Sequence, residues 1–92
     1  MTLTVTYTNR FKKDYELVKK RGWNIPKLKQ VIELLMNCES LPIQNRDHQL
    51  VGTYVGCREC HIEPDWVLIY KIDKIESTLT LLRTGSHSDL FD

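Results

Sequence analysis

Ninety-two residues, 41% hydrophobic and 27% charged, describe one globular domain with a modest core. No run approaches the roughly 18 apolar residues of a membrane span. The start, Met1-Thr2-Leu3-Thr4-Val5, lacks the basic and apolar blocks of a secretory signal, so a cytoplasmic address is the default expectation. The formal net charge is +1, yet residues 1–36 hold eight Lys and Arg against three Asp and Glu, and residues 37–92 hold five against nine. A basic first half can track phosphates by charge alone; the plainer reading is a pair of well-solvated helices.

Leu3, Val5 and Tyr7 alternate with Thr2, Thr4 and Thr6, the pattern of a half-buried strand. Thr8 or Asn9 then caps a helix marked by Phe11, Tyr15 and Val18, with Gly22 as its stop. Asn24 opens a second helix with Pro26 in its first turn; Leu28, Val31, Ile32 and Leu35 share one face. That helix closes between Asn37 and Leu41, ahead of Pro42. Three strands are expected next: Tyr54 to Ile62, Trp66 to Ile72 and Thr78 to Thr84. The middle run is almost continuously apolar and predicts a central strand covered on both faces. Asp73 to Ser77 is short enough for a hairpin connection, and Ser86 to Phe91 for one helical turn. The order β-α-α-β-β-β predicts an α+β domain, an antiparallel-rich sheet packed against two N-terminal helices. No repeat, linker or low-complexity tract divides residues 1–92.

Cys57-Arg58-Glu59-Cys60-His61 has the form of a c-type haem attachment signature. The absence of an export signal, the small core and the strand pattern argue against it. On a strand, Cys57 and His61 share one face and Cys60 takes the other. The same geometry weakens a zinc site, which also lacks a second ligand pair, although His48 could join if the segment were a loop. Small buried thiols in a reducing compartment are the simpler reading, with Cys38 too distant for a redox pair.

All three histidines lie after residue 47, each beside charged or small polar residues. Cleavage of RNA by its own 2′-OH needs a base, an acid and a cation near the phosphorane. His48, His61, His87, Asp65 and Arg83 supply those parts. Scattered surface histidines are the alternative.

Three segments carry a resemblance to a known family. They are His48-Gln49-Leu50-Val51-Gly52, Gly56 through Tyr70 with Arg58-Glu59-Cys60-His61-Ile62-Glu63-Pro64-Asp65-Trp66 at its centre, and Arg83-Thr84-Gly85-Ser86-His87-Ser88-Asp89-Leu90-Phe91. In this order and spacing the sequence resembles the YafQ branch of the RelE/ParE toxin superfamily, most closely over residues 44–92 and more loosely through the helices. The resemblance implies a compact RelE-like fold and a toxin of a type II toxin–antitoxin pair. Such a toxin enters the ribosomal A site, cleaves mRNA there without a metal or cofactor, and is silenced by a cognate antitoxin. It implies His48, His61, Asp65, Arg83 and His87 as the catalytic set. His48 is assigned as general base, His87 as general acid and Arg83 to the phosphate, with Asp65 and His61 orienting and tuning the others. Trp66 and Phe91 fall where the family has residues supporting the site or the RNA; on pattern alone Trp66 reads equally as core and Phe91 as an edge seal. Arg58 and Glu59 read as a solvated cross-strand pair. Lys19, Lys20 and Arg21 are the basic cluster expected on backbone phosphates. Cys57 and Cys60 occupy variable slots of the pattern, and the near-neutral total charge is modest for a ribosome-docking protein. The competing functions are a catalytically inactive binding module, or a gyrase poison, on the same fold. Neither requires a set of proton-transfer histidines.

Overall fold

The computed structural model describes residues 2–91. Strand β1 (Thr4–Tyr7) leads into helix α1 (Asn9–Lys20), whose N-cap is Thr8: its hydroxyl accepts from the Phe11 N–H at 3.0 Å. Phe11 and Val18 bury the inner face of α1, and Gly22, at φ +77°, turns the chain where a Cβ would be strained. Helix α2 (Ile25–Met36) is capped by Asn24, with Pro26 in the first turn where its missing N–H costs nothing, and buries Leu28, Val31 and Leu35. The caps, stop and buried stripes are those the sequence predicts.

Four more strands follow: β2 (His48–Gln49), β3 (Arg58–Glu63), β4 (Trp66–Asp73) and β5 (Thr78–Gly85). Helix α3 (His87–Phe91) ends the described chain. The sheet order is β1-β5-β4-β3-β2; β1 runs parallel to β5 and every other pair is antiparallel. The fold is therefore α+β with an antiparallel-rich sheet, as expected.

Two local details differ from the sequence reading. The two-residue strand β2 was not expected, since a pair of residues carries no periodicity. The strand expected from Tyr54 starts only at Arg58, because Gly52–Tyr54 forms a 3-10 turn and Gly56 adopts φ +88°.

Strand β4 is central and covered on both faces. Trp66, Leu68 and Tyr70 join Cys60, Ile62 and the helix residues in the main core, while Val67 and Ile69 join Cys57 and Leu90 in a smaller cluster opposite. Cys57 and Cys60 thus lie on opposite faces, as the strand geometry requires, and burial pushes the Cys60 thiol up, leaving it protonated.

Beyond Leu81 strand β5 outruns β1, and α1 covers the uncovered edge. The Thr8 hydroxyl donates to the Leu82 carbonyl at 2.8 Å and the Thr84 N–H donates to Asp14 at 3.2 Å. A bulge between Ile69 and Tyr70 makes Leu82 an extra residue on β5, so Arg83 sits opposite Ile69 instead of following Leu79 and Leu81 onto the helix face.

Candidate active site

The face opposite the helices holds the histidines. Strand β3 places Glu59 and His61 there, two residues apart, and β2 pairs His48 directly against Glu59. The tight Pro64-Asp65 turn returns the chain into β4, and His87 opens α3 above the same surface. The rings of His61 and His87 lie 5.4 Å apart.

Glu59 is the centre of this arrangement. Its Oε1 lies 3.5 Å from His61 Nε2, 3.7 Å from His87 Nε2 and 3.7 Å from His48 Nε2. Glu59 and His61 are only 4% and 6% exposed, whereas His48 and His87 are open to solvent. The reading of Arg58 and Glu59 as a solvated pair is therefore corrected. Alternation along β3 sends them to opposite faces; Arg58 instead donates to Asp47 at 3.2 Å, and Tyr70 donates to the same oxygen at 2.5 Å. The spacing Glu59-x-His61 on a strand carried the signal that was missed.

The other nitrogen of every ring is held. His48 Nδ1 donates to the Arg46 carbonyl at 2.7 Å and His61 Nδ1 to the Pro64 carbonyl at 3.2 Å. Because a carbonyl can only accept, both Nδ1 atoms carry the proton and both Nε2 atoms are free for chemistry. His87 Nδ1 faces Asp65 Oδ1 at 3.1 Å, and its backbone N–H reaches the same oxygen at 3.3 Å. The His87 side-chain bond, followed by the backbone bond, holds the Asp65 carboxyl below its usual range. Asp65 thus fixes the orientation of His87.

Arg83 stands in a cleft of about 380 Å³ with Arg10, Thr53, Tyr54 and Phe91. Its guanidinium is gripped by Asp14 through Nε at 2.7 Å and Nη2 at 3.1 Å, a pairing that raises its pKa further. The cleft adjoins the histidines through Phe91, whose ring stacks on His87 at 6.0 Å and meets Tyr54 edge-on at 6.0 Å. At 46% exposure Phe91 offers a ring face to solvent.

One expected RNA contact is corrected, and a second residue of that set has a partner within the chain. Trp66 is 2% exposed, packs against Trp23 at 5.1 Å and donates its Nε1–H to the Thr84 hydroxyl at 2.8 Å, so it belongs to the core. Arg21 is committed to Asp89 of α3 through bonds of 2.6 and 3.1 Å, while Lys19 and Lys20 remain exposed. The Arg21–Asp89 pair ties the end of α1 to the helix that carries His87.

Known proteins share the sequence and the fold of this chain. A family model described as "Bacterial toxin of type II toxin-antitoxin system, YafQ" matches residues 3–92. The chain belongs to the YafQ toxin family. It is 43% identical over 89 residues to the mRNA interferase toxin YafQ of Escherichia coli K12, covering 95% of this chain and 94% of that protein. Among solved structures it resembles the toxin in the E. coli DinJ-YafQ toxin-antitoxin complex, with a TM-score of 0.90, 39% identity and full coverage of both chains. It is equally similar to a metal-bound toxin from Helicobacter pylori, with a TM-score of 0.91 and 40% identity over 97% of this chain and 99% of that one. No helix among the described residues is long and apolar enough to cross a membrane.

Proposed function

We propose that this YafQ-family chain is an endoribonuclease that cleaves mRNA on the ribosome and is held silent by a cognate antitoxin. The observation that carries this reading is the convergence of three imidazole Nε2 atoms on one buried carboxylate, each ring having its Nδ1 pinned by an acceptor. That arrangement fixes tautomers and leaves three proton-transfer atoms around one point. The mRNA interferase identity of the E. coli relative supports the same chemistry.

In the proposed reaction His48 Nε2 takes the proton from the ribose 2′-OH as that oxygen attacks the adjacent phosphorus. His87 Nε2 delivers a proton to the departing 5′-oxygen as the P–O5′ bond breaks. Glu59 faces whichever ring carries the extra proton with a compensating charge, buried His61 completes the pair, and Asp65 aims His87. Arg83 and the exposed Lys19 and Lys20 face the phosphates, and Phe91 offers a stacking surface for a base. The ribosome supplies the rest of the positioning. The antitoxin reading follows the DinJ-YafQ assembly of E. coli; a flexible segment laid over the histidine cleft or the basic helices is its expected form.

The test is a ribosome-bound mRNA carrying a single 2′-deoxy nucleotide at the cut site. Cleavage of the all-ribose message should leave a 2′,3′-cyclic phosphate and a 5′-hydroxyl, and the deoxy message should stay intact. Cutting of the deoxy message would make water the nucleophile and overturn the mechanism.

A further inference from the structure

We infer that the polar segment leading into β2 is a built clamp, in which Asn45, Asp47 and the Tyr70 hydroxyl are positioning residues that hold His48 in place as the general base. The clamp itself stands on geometry; its kinetic consequence rests on the acid–base reading proposed above.

His48 needs such a device because nothing apolar fixes it. Its strand β2 has two residues, shorter than strands usually run. Between Leu41 and Leu50 the one buried residue is Asn45, which is polar. The His48 side chain is 51% exposed, and its Nε2 stands 3.7 Å from Glu59, beyond hydrogen-bond range.

Polar tethers replace packing. Asn45 Nδ2 donates to the His61 carbonyl at 2.6 Å, taking up an acceptor of β3 beside its bulge. Asp47 Oδ1 accepts from two donors, the Tyr70 hydroxyl at 2.5 Å and Arg58 Nε at 3.2 Å. Tyr70 is 1% exposed on the central strand β4, so its hydroxyl is a fixed point at the core. Burial, then the bond to Asp47, raises the Tyr70 pKa, and the phenol stays protonated as the donor. Asp47 reaches toward the helix side, where it borders a cavity with Leu3 and Leu35, while its neighbour His48 faces the histidine cluster.

Arg46, between the two anchors, takes φ +49°, a left-handed conformation that non-glycine residues rarely adopt. Held there, its carbonyl accepts the His48 Nδ1–H at 2.7 Å, which leaves Nε2 as the free base. The clamp thus sets both the place and the tautomer of the ring. Any acceptor would satisfy the Tyr70 hydroxyl; here the acceptor is next in sequence to the base, and the segment it secures buries nothing apolar. Moving a reacting group by about 1 Å can cost about 10²-fold in rate.

The experiment measures cleavage of ribosome-bound mRNA by the full chain, with rates taken per folded molecule. Tyr70→Phe, Asp47→Ala and Asn45→Ala should each lower kcat about 10–100-fold and leave KM nearly unchanged, because none of these side chains touches the message. Asp47→Asn keeps the accepting oxygen and should recover most of the loss. In a His48→Ala background Tyr70→Phe should cost nothing further, since the base it serves is gone. Parent-level kcat in folded Tyr70→Phe overturns the proposal, and so does a loss that multiplies fully with that of His48→Ala. Tyr70→Phe keeps the ring and loses one oxygen, so it decides the matter if the alanine variants unfold. Imidazole nitrogen NMR of the free protein gives a reading independent of cleavage. At about pH 9, where histidines are neutral, His48 should be the Nδ1–H tautomer in the parent and shift toward Nε2–H in Tyr70→Phe. An unchanged tautomer in that folded variant overturns the clamp. A parent protein that cleaves nothing fails the ribonuclease reading instead, and the spectra still judge the clamp.

Discussion

The two faces of the sheet are built from the same strands and obey opposite rules. On the helix side Cys60, Ile62, Trp66, Leu68 and Tyr70 meet Leu28, Val31 and Leu35 in an apolar interior where Trp66 finds a single hydrogen-bond partner. On the other side Glu59 and His61, from alternate positions of the same strand β3, gather His48 and His87 around a carboxylate. One face buries area and holds the fold together; the other concentrates titratable groups at close range, which folding alone would not favour. Such a polar cluster is tolerated because a core on the reverse side of the same strands anchors the backbone beneath it.

The sharpest way to separate the two faces is to remove one side chain from each. His87→Ala should lower cleavage on the ribosome by about 10²–10⁴-fold, equivalent to about 3–5 kcal/mol of barrier, while its melting curve stays close to that of the parent. A variant that keeps more than a tenth of the activity would remove His87 from the acid–base set. Leu68→Ala, on the helix face and fully buried, should instead cost about 2–5 kcal/mol in denaturant unfolding, because the cavity cannot collapse under the sheet. An unfolding free energy unchanged within error would mean that the core can relax around the gap.

Trp66→Phe probes the residue whose face the sequence left open. Losing the Nε1–H bond to Thr84 and part of the Trp23 contact should cost about 1–2 kcal/mol of stability. Cleavage per folded molecule should not change; a tenfold loss at full folding would return Trp66 to the RNA surface.

The smallest effect belongs to the link between the faces, Arg21–Asp89, which joins α1 to the helix bearing His87. The Arg21 side-chain bond, helped by Ser86, holds the Asp89 carboxyl well below its ordinary range. A depressed carboxylate contributes stability that is fully present above the unfolded value near about pH 3.9 and is lost as pH falls through the folded value. Both partners are partly exposed, so the pair is worth about 1 kcal/mol or less. The stability gap between parent and Asp89→Asn should therefore be small at neutral pH and narrow further below about pH 4. A gap that widens in acid would show that the carboxylate destabilises the native state.

Legibility followed periodicity. The caps at Thr8 and Asn24, the stop at Gly22 and the apolar run of β4 are local signals, and all appear where the sequence puts them. The opposite placement of Cys57 and Cys60 followed from strand alternation. Strand β2 escaped because two residues make no pattern; its existence depends on pairing with Glu59 and Arg58. Glu59 itself was misread because adjacent opposite charges on a strand resemble a surface pair, and burial is a property of what lies across the sheet.

Sequence alone thus determined the order of the longer elements, the core stripes, the family resemblance and the supply of three histidines, since each depends on neighbours a few residues apart. Only the tertiary structure decided which groups meet. Closing the sheet brought His48 on β2 and His87 on α3 to the Glu59 that β3 buries, from 11 and 28 residues away along the chain. It also turned Trp66 inward and committed Arg21 and Arg83 to Asp89 and Asp14. Those partnerships are long-range contacts: they follow from strand register, a one-residue bulge and the path of the chain around the sheet edge, none of which leaves a mark in local composition.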